Sequence, residues 1–192
     1  MLYREWFVRL RFPGHEHVTI IDGVPEGWER RGVGDLLELC YGKALKEEAR
    51  VEGPFPVYGS SGIVGSHQAA LVKGPAIVVG RKGNVGSVYW SPVDFWPIDT
   101  VYFIPSAQSD FWLYLALPNV GFQNTDGGVP GLNRDFAYSR KIIKPSDRMR
   151  RLFNESVAPM FAQCGTLLNF SQKLVEARDV LLPRLMNGEV AV

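Results

Sequence analysis

Apolar positions along this chain follow two different periods, and the change between them divides it into three segments. Near the start, Tyr3, Trp6, Phe7 and Leu10 fall at i, i+3, i+4 and i+7, the spacing of one helical face, and Pro13-Gly14 stops the pattern. A one-faced helix of that length has little to pack on by itself, so residues 1–24 read as the end of a longer helix and a linker. From about 25 to 145 the chain changes to short apolar, β-branched or aromatic runs: Phe55–Tyr58, Leu71–Val79, Val85–Trp90, Thr100–Ile104 and Arg140–Lys144. Turn-forming strings separate them, namely Gly-Ser-Ser-Gly (59–62), Gly-Arg-Lys-Gly-Asn (80–84), Ser-Pro (91–92) and Thr-Asp-Gly-Gly (125–128). This alternation predicts an α+β domain with a curved, mostly antiparallel sheet and a short helix over Asp110–Leu117.

The third segment, 146–192, is helical. Ser146 follows Pro145 as a cap, and Asp147 stands in the first turn, where a negative charge suits the helix dipole. Apolar doublets then recur every seven residues (Met160/Phe161, Leu167/Leu168, Leu174/Val175, Leu181/Leu182), with Phe153 one heptad earlier and Val157 and Cys164 in an intermediate row. Such a repeat is the signature of a coiled coil or helix pair. At ~1.5 Å per residue the stripe spans roughly 50 Å, more than a small domain covers. It fits either a helix folded onto its own domain or one that pairs with another, and its length favours the second. Pro159 is expected to kink or break this helix and Pro183 to end it.

Composition narrows the class. The chain has 192 residues, 46% of them hydrophobic and 21% charged, with 20 Gly and 13 Pro. These values exclude a disordered chain and favour turns over a helical bundle. No apolar run approaches the roughly 18–20 residues of a membrane span, and the N-terminus alternates charge with apolar residues, unlike a signal peptide. Cys40 and Cys164 form no CxxC pair and read as reduced core thiols of a cytoplasmic protein. The net charge is only +1, yet residues 134–151 hold seven Lys or Arg against Asp135 and Asp147. Such a cluster is either a solvated face or a phosphate-binding patch.

The chemistry of catalysis is missing from the sequence. There is no phosphate loop, no nucleophile elbow, and no Asn/Asp-Pro-Pro-aromatic loop of a DNA amino-methyltransferase. The string Gly80-Arg-Lys-Gly83-Asn-Val-Gly86 lacks dinucleotide-binding spacing, and a strand follows it. His15 and His17 read as a surface pair, with no metal site expected. A free-standing enzyme would have to be built around Tyr58, His67 and Asp99. What remains are loops of a kind that could meet a polyanion. Arg81, Lys82 and Asn84 stand on a tight turn, and Arg bridges guanine O6 and N7 as Asn bridges adenine N6 and N7. The loop of Tyr58, Ser60 and Ser61 lets backbone approach a ligand, and Gln123, Asn124, Thr125 and Asp126 form a polar loop suited to base edges. Lys43, Tyr58, Ser60, Ser61, Arg81, Lys82, Asn84 and Asn124 are the expected DNA contacts, with Arg134, Arg140, Lys141 and Lys144 for phosphates. A solvated turn is the commoner meaning of an Arg-Lys-Gly-Asn string taken alone.

In order, these strings resemble the specificity subunit of type I restriction–modification enzymes over almost the whole chain. Tyr3-Arg-Glu-Trp-Phe-Val-Arg-Leu-Arg-Phe-Pro-Gly-His-Glu16 is similar to the exit from the helix that precedes a second target recognition domain. Pro25-Glu-Gly-Trp28, Gly34-Asp35 and Gly42-Lys43 resemble that domain's entry. Phe55-Pro-Val-Tyr-Gly-Ser-Ser-Gly-Ile-Val-Gly65 matches a family stretch, with Ser61 where Asn is frequent. Ala76-Ile-Val-Val-Gly-Arg-Lys-Gly-Asn-Val-Gly86, Phe95-Trp-Pro-Ile-Asp-Thr-Val-Tyr102 and the final Leu181-Leu-Pro-Arg-Leu-Met-Asn-Gly-Glu189 complete the set.

The resemblance implies a non-catalytic subunit with no cofactor of its own. In the family, two recognition domains each read half of a split DNA site, and two conserved helices pair antiparallel and dock the methylation subunits. Those subunits bind S-adenosylmethionine, and a restriction subunit cleaves DNA. Here one recognition domain (25–145) and one helix imply a half-length subunit or the C-terminal half of an interrupted one. Double-stranded DNA, methylation subunits and, through them, the restriction subunit are the expected partners. A second copy is expected to cover Phe153, Met160, Leu167, Leu174 and Leu181 through a two-fold axis, giving a homodimer. The alternative is an adaptor or decoy that captures methylation subunits by its helix without reading DNA.

Overall fold

The computed structural model describes residues 2–124 and 131–187, and divides the chain into two compact units, Met1–Arg150 and Arg151–Val192. The expected turn at 125–128, with Thr125 and Asp126, lies outside the described residues. The first unit opens with a helical turn, Arg4–Val8, that buries Trp6. It ends before Pro13, because Leu10 already has a left-handed backbone, with φ of 57°. The partner that a one-faced turn needs comes from within the chain: the Phe7 and Phe12 rings lie 5.5 and 4.9 Å from Trp28.

The strands follow as β1 (Ile20–Ile21), β2 (Val24–Pro25), β3 (Glu29–Gly32), β4 (Cys40–Tyr41), β5 (Phe55–Gly59), β6 (Gly62–His67), β7 (Ala76–Gly80), β8 (Val88–Ser91), β9 (Trp96–Pro97) and β10 (Val101–Ile104). Two short helices, α1 (Phe111–Ala116) and α2 (Arg134–Ser139), precede β11 (Lys141–Lys144) and the long α3 (Asp147–Met186). The fold is thus α+β, a strand-rich domain followed by a long helix. Instead of one curved sheet, the described residues form four small ones, ordered β1-β2, β4-β10-β7-β8, β11-β3 and β6-β5-β9. Pairing is antiparallel throughout except between β5 and β9.

The centre of the four-stranded sheet explains the most apolar run in the sequence. β7 lies between β10 and β8, and all five of its residues are buried. A strand covered on both faces reads as a continuous hydrophobic run. The expected strand 71–79 is shortened because Gly74-Pro75 interrupts it: Pro75 has no N–H for a ladder, and Val72 bridges Phe95 separately. Phe95, Tyr58, Val72, Ala76, Val78 and Val101 form the core cluster, with the Phe95 and Tyr58 rings edge-on at 5.4 Å.

Local capping accounts for the helices. The Asp110 carboxylate accepts the Leu113 N–H at 2.8 Å and starts α1 where a short helix was expected. Asn133 Oδ1 accepts from the Asp135 and Phe136 amides at 2.8 and 3.1 Å, starting α2, which the strand pattern did not reveal. Ser146 Oγ accepts the Met149 N–H at 3.3 Å, as expected for the start of α3.

α3 runs unbroken through both prolines, its 40 residues including Pro159 and Pro183, so Pro159 does not split it in two and Pro183 does not end it. Each proline removes its own hydrogen bond to the carbonyl four residues back and crowds that carbonyl, a local cost, while the flanking residues still add their bonds. Along α3, Phe153 and Val157 are buried at 0% and 4% exposure, whereas Met160, Leu167, Leu174 and Leu181 are 55%, 59%, 70% and 46% exposed. The exposed part of the stripe therefore begins at Met160, and Phe153, expected to face a second copy, is instead buried. The cysteines also depart from expectation: Cys164 shares the exposed stretch of α3, and Cys40 is only half-buried. No described helix is long and apolar enough to cross a membrane.

Phe95→Ala should cost about 3–5 kcal/mol, the usual range for deleting a buried ring. Urea unfolding followed by circular dichroism measures it, and a change below about 1 kcal/mol would contradict Phe95 as the centre of the core.

Candidate nucleic-acid interface

The end of β7 delivers Gly80 and Arg81 into a turn folded tightly on itself. The Gly80 N–H donates to the Ser87 carbonyl at 2.7 Å, and the Gly86 N–H to the Gly80 carbonyl at 2.9 Å. A Cβ on Gly80 would stand 2.1 Å from the Asn84 carbonyl oxygen, so only glycine fits. The outer edge of the turn is held as well, because the Arg81 and Lys82 amides both donate to the Thr100 carbonyl, at 2.9 and 3.0 Å.

Two further loops are fastened to this turn. Ser60 and Ser61 close the β5–β6 hairpin, and the Tyr89 hydroxyl on β8 donates to the Ser60 carbonyl at 3.1 Å. Ser87 Oγ lies 2.7 Å from the same oxygen. On the other side, a Cβ on Gly86 would stand 2.8 Å from Phe122 Cβ, and Lys82 bridges Gly131. The Leu132 N–H donates to the Arg81 carbonyl at 2.7 Å, and the Gly131 N–H to Asn124 Oδ1 at 2.8 Å. Ser60, Ser61, Arg81, Lys82, Asn84 and Asn124 are thereby carried by three adjoining loops, with Ser61, Asn84 and Asn124 exposed.

Beside these loops stands Tyr41, on the edge strand β4 and 51% exposed. The Arg81 guanidinium carbon lies 4.9 Å from the Tyr41 ring centroid and 5.7 Å from that of Tyr102, and Arg81 Nη1 donates to the Asp99 carbonyl at 3.0 Å. Arg134, in the first turn of α2, places its guanidinium carbon 5.2 Å from the same Tyr41 centroid. Lys82 Nζ is 3.8 Å from Asp99 Oδ2. Lys43 follows closely: its amide donates to the Pro97 carbonyl at 2.9 Å, and its own carbonyl accepts from Trp96 Nε1 at 2.9 Å. Burial above all, then the hydrogen bond and charge of Tyr41, push the Tyr102 hydroxyl up to about 12, while Arg81 pulls it down. Tyr102 thus stays neutral and donates to the Leu132 carbonyl at 3.0 Å.

The other expected contacts do not join this group. Tyr58 is a correction: it is buried at 4% exposure, its hydroxyl directed to the Trp90 carbonyl at 3.5 Å and its pKa raised by burial, so it supports the hairpin from the core. Arg140 is half-buried, with Nε donating to the Val120 carbonyl at 2.8 Å. Lys141 and Lys144 sit on β11, away from the loops, in the sheet with β3. Strand alternation puts them on opposite faces, and Lys144 is 3.1 Å from Asp147. The facing strand adds Arg30 and Arg31, a pair far from residues 134–151 in the sequence that only strand pairing brings beside them. His67 is buried, and its Nδ1 accepts the Val51 N–H at 3.1 Å, so it does not form a reacting group with Tyr58 and Asp99. Among the described residues no cluster of His, Cys, Asp or Glu could hold a metal.

A family model described as the type I restriction modification DNA specificity domain matches residues 25–142. The chain belongs to that family. All three loops and Tyr41 lie inside the matched DNA specificity domain. Among curated proteins, the type I restriction enzyme HindI specificity subunit of Haemophilus influenzae is 29% identical, over 87% of this chain and 42% of the relative. Among solved structures, the type I restriction–modification S subunit of M. genitalium superposes with a TM-score of 0.67 at 14% identity, covering 87% of this chain and 47% of that one. The HsdS subunit of Thermoanaerobacter tengcongensis gives 0.51 at 12% identity, over 98% and 49%. The chain therefore spans about half the length, or less, of the relatives it matches, and the solved structures attest to the fold.

Gly80→Ala should collapse the turn of the specificity domain, since the added methyl would stand 2.1 Å from the Asn84 carbonyl oxygen and 2.3 Å from Ser87 Oγ, which is itself held by hydrogen bonds. Loss or large displacement of the Arg81 to Ser87 amide resonances in a heteronuclear NMR spectrum is expected, and an unchanged spectrum would refute this packing.

Proposed function

We propose that this chain reads one half of a split site on double-stranded DNA as the non-catalytic specificity component of a cytoplasmic type I restriction–modification enzyme. One observation carries the reading: three hydrogen-bonded loops of a DNA specificity domain set Arg81, Lys82, Asn84, Ser60, Ser61 and Asn124 side by side, next to Arg134 and Lys43. Fixed guanidinium and amide groups on short loops suit base edges in the major groove. Lys141 and Arg30, exposed on the separate β3–β11 ribbon, suit phosphates, as does Arg134. No cofactor is needed for this role; S-adenosylmethionine belongs to the methylation subunits, which the long helix docks together with, through them, the restriction subunit.

The exposed stripe of α3 is read as the surface on which this assembly is built. A contiguous apolar face of this kind normally marks an interface. A second copy laid antiparallel across a two-fold axis covers Met160, Leu167, Leu174 and Leu181 with the same residues and gives a homodimer that reads a symmetric split site.

Two outcomes follow. Arg81→Ala should lower discrimination at a single base pair by about 1–3 kcal/mol, while Lys141→Ala should weaken all duplexes alike and flatten the dependence of binding on salt. Fluorescence anisotropy with single-substitution duplexes at several salt concentrations separates the two, and identical profiles for both variants would refute the assignment of base and phosphate contacts. In size-exclusion chromatography with light scattering, the protein should elute as a dimer at micromolar concentration, and Leu167→Glu with Leu174→Glu as a monomer. A monomeric wild type would remove the homodimer.

A further inference from the structure

We propose that Tyr41 is the positioning residue of this interface, a platform whose ring holds the Arg81 guanidinium in one orientation for base reading and shares its surface with Arg134. The inference rests on the DNA-reading function proposed above. An edge-strand tyrosine that is 51% exposed is poorly used as core, yet two guanidinium groups from distant parts of the sequence converge on it, at 4.9 and 5.2 Å. They come from the β7–β8 turn and from the first turn of α2, whose lead-in is tied to that turn by the Leu132 N–H donating to the Arg81 carbonyl at 2.7 Å. Tyr102 lies under the same assembly, its ring 5.1 Å from Tyr41 and 5.7 Å from Arg81. The Asp99 carbonyl takes one of the five N–H donors of Arg81 and sets the rotation of the guanidinium in its plane.

The arrangement matters for one kind of contact and not for the other. A bidentate bond to guanine O6 and N7 needs the plane and edge of the guanidinium fixed, because a freely turning arginine loses orientational freedom on binding the correct base. Attraction to a phosphate is largely that of a point charge and tolerates a mobile side chain. Removing the Tyr41 ring therefore affects discrimination at the base pair read by Arg81, with little effect on the affinity common to all duplexes. The phenolic hydroxyl hydrogen-bonds Tyr102, while Arg81 lies over the ring, so a phenylalanine retains the function.

The test selects the preferred duplex from a randomised library with the wild-type protein, then measures binding to every single-base-pair variant of it. The proteins compared are wild type, Tyr41→Phe, Tyr41→Ala, Tyr41→Leu, Arg81→Ala and the double variant Tyr41→Ala/Arg81→Ala. Tyr41→Phe should stay within about twofold of wild type at every position. Tyr41→Ala and Tyr41→Leu should lose discrimination by several-fold at the one base pair where Arg81→Ala loses about 5- to 150-fold. The double variant should be no flatter than Arg81→Ala alone, because the ring acts only through the arginine. Tyr41→Leu keeps apolar bulk at the edge of the sheet, so it reports on the ring even where Tyr41→Ala loosens β4. Full discrimination in Tyr41→Leu, an equal loss at all base pairs, or additive losses in the double variant would each overturn the platform while leaving DNA reading intact. A wild type that selects no duplex would instead remove the functional reading on which the platform depends.

Discussion

The fixed place of β7 in the middle of the four-stranded sheet is the constraint from which the rest of the interface follows. Its five residues are buried on both faces, and its register with β10 pairs Val101 with Gly80 at the point where the strand ends. Sliding by one residue would send each apolar side chain to the opposite face and break both ladders at once. The next two amides, of Arg81 and Lys82, then meet the Thr100 carbonyl at the mouth of β10, so the first residues of the turn inherit the rigidity of the core. Chemistry that must be held to within a fraction of an ångström is better carried by such a strand end than by a free loop.

Part of the order of elements was legible because it depends on local pattern: apolar runs bounded by Gly and Pro gave five of the eleven described strands, β5, β7, β8, β10 and β11, and the seven-residue repeat gave the long helix. Boundaries were lost where tertiary contacts decide them. The run Leu71–Val79 reads as one strand by hydrophobicity, yet it is cut at Gly74-Pro75, and Val85–Ser87 belongs to the turn because the Ser87 carbonyl is claimed by Gly80. The turn itself was legible in the sequence, from three glycines in the seven residues 80–86, but its two cations and amide fit a solvated turn equally well until the neighbouring loops are seen to join it. Tyr41 was not, because its role comes entirely from residues 40 and 93 positions further along the chain. Tyr58 was misplaced for the same reason: a tyrosine before a Gly-Ser-Ser-Gly turn looks exposed until the parallel strand β9 and Phe95 close over it.

The long helix shows how far periodicity can carry an argument. The heptad stripe is one pattern from Phe153 to Leu182, but burial splits it, with Phe153 and Val157 covered and every apolar member from Leu167 onward exposed. Sequence cannot mark that division, since both parts use the same residue types at the same spacing. Pro159 was read as a kink or break and Pro183 as a stop, from the hydrogen bond each one removes. Their cost, about 3 kcal/mol for an interior proline, is local, whereas a helix of 40 residues is held by dozens of bonds that a single defect leaves in place.

The electrostatics of the interface argue for discrimination over grip. A net charge of +1 gives the chain little long-range attraction for a polyanion, and Asp99 stands 3.8 Å from Lys82 within the candidate site itself. A carboxylate there lowers non-specific affinity, which grows with the number of phosphates neutralised. It does not weaken a bidentate contact from an arginine already oriented by an aromatic ring and a carbonyl. Arg134 follows the same logic: a cation in the first turn of a helix opposes the dipole by a few tenths of a kcal/mol, a cost offset by its stacking on Tyr41. Reducing the charge while fixing the direction of what remains raises the ratio of specific to non-specific binding. That ratio, more than affinity, is what a reader of sequence among a genome of competing sites requires.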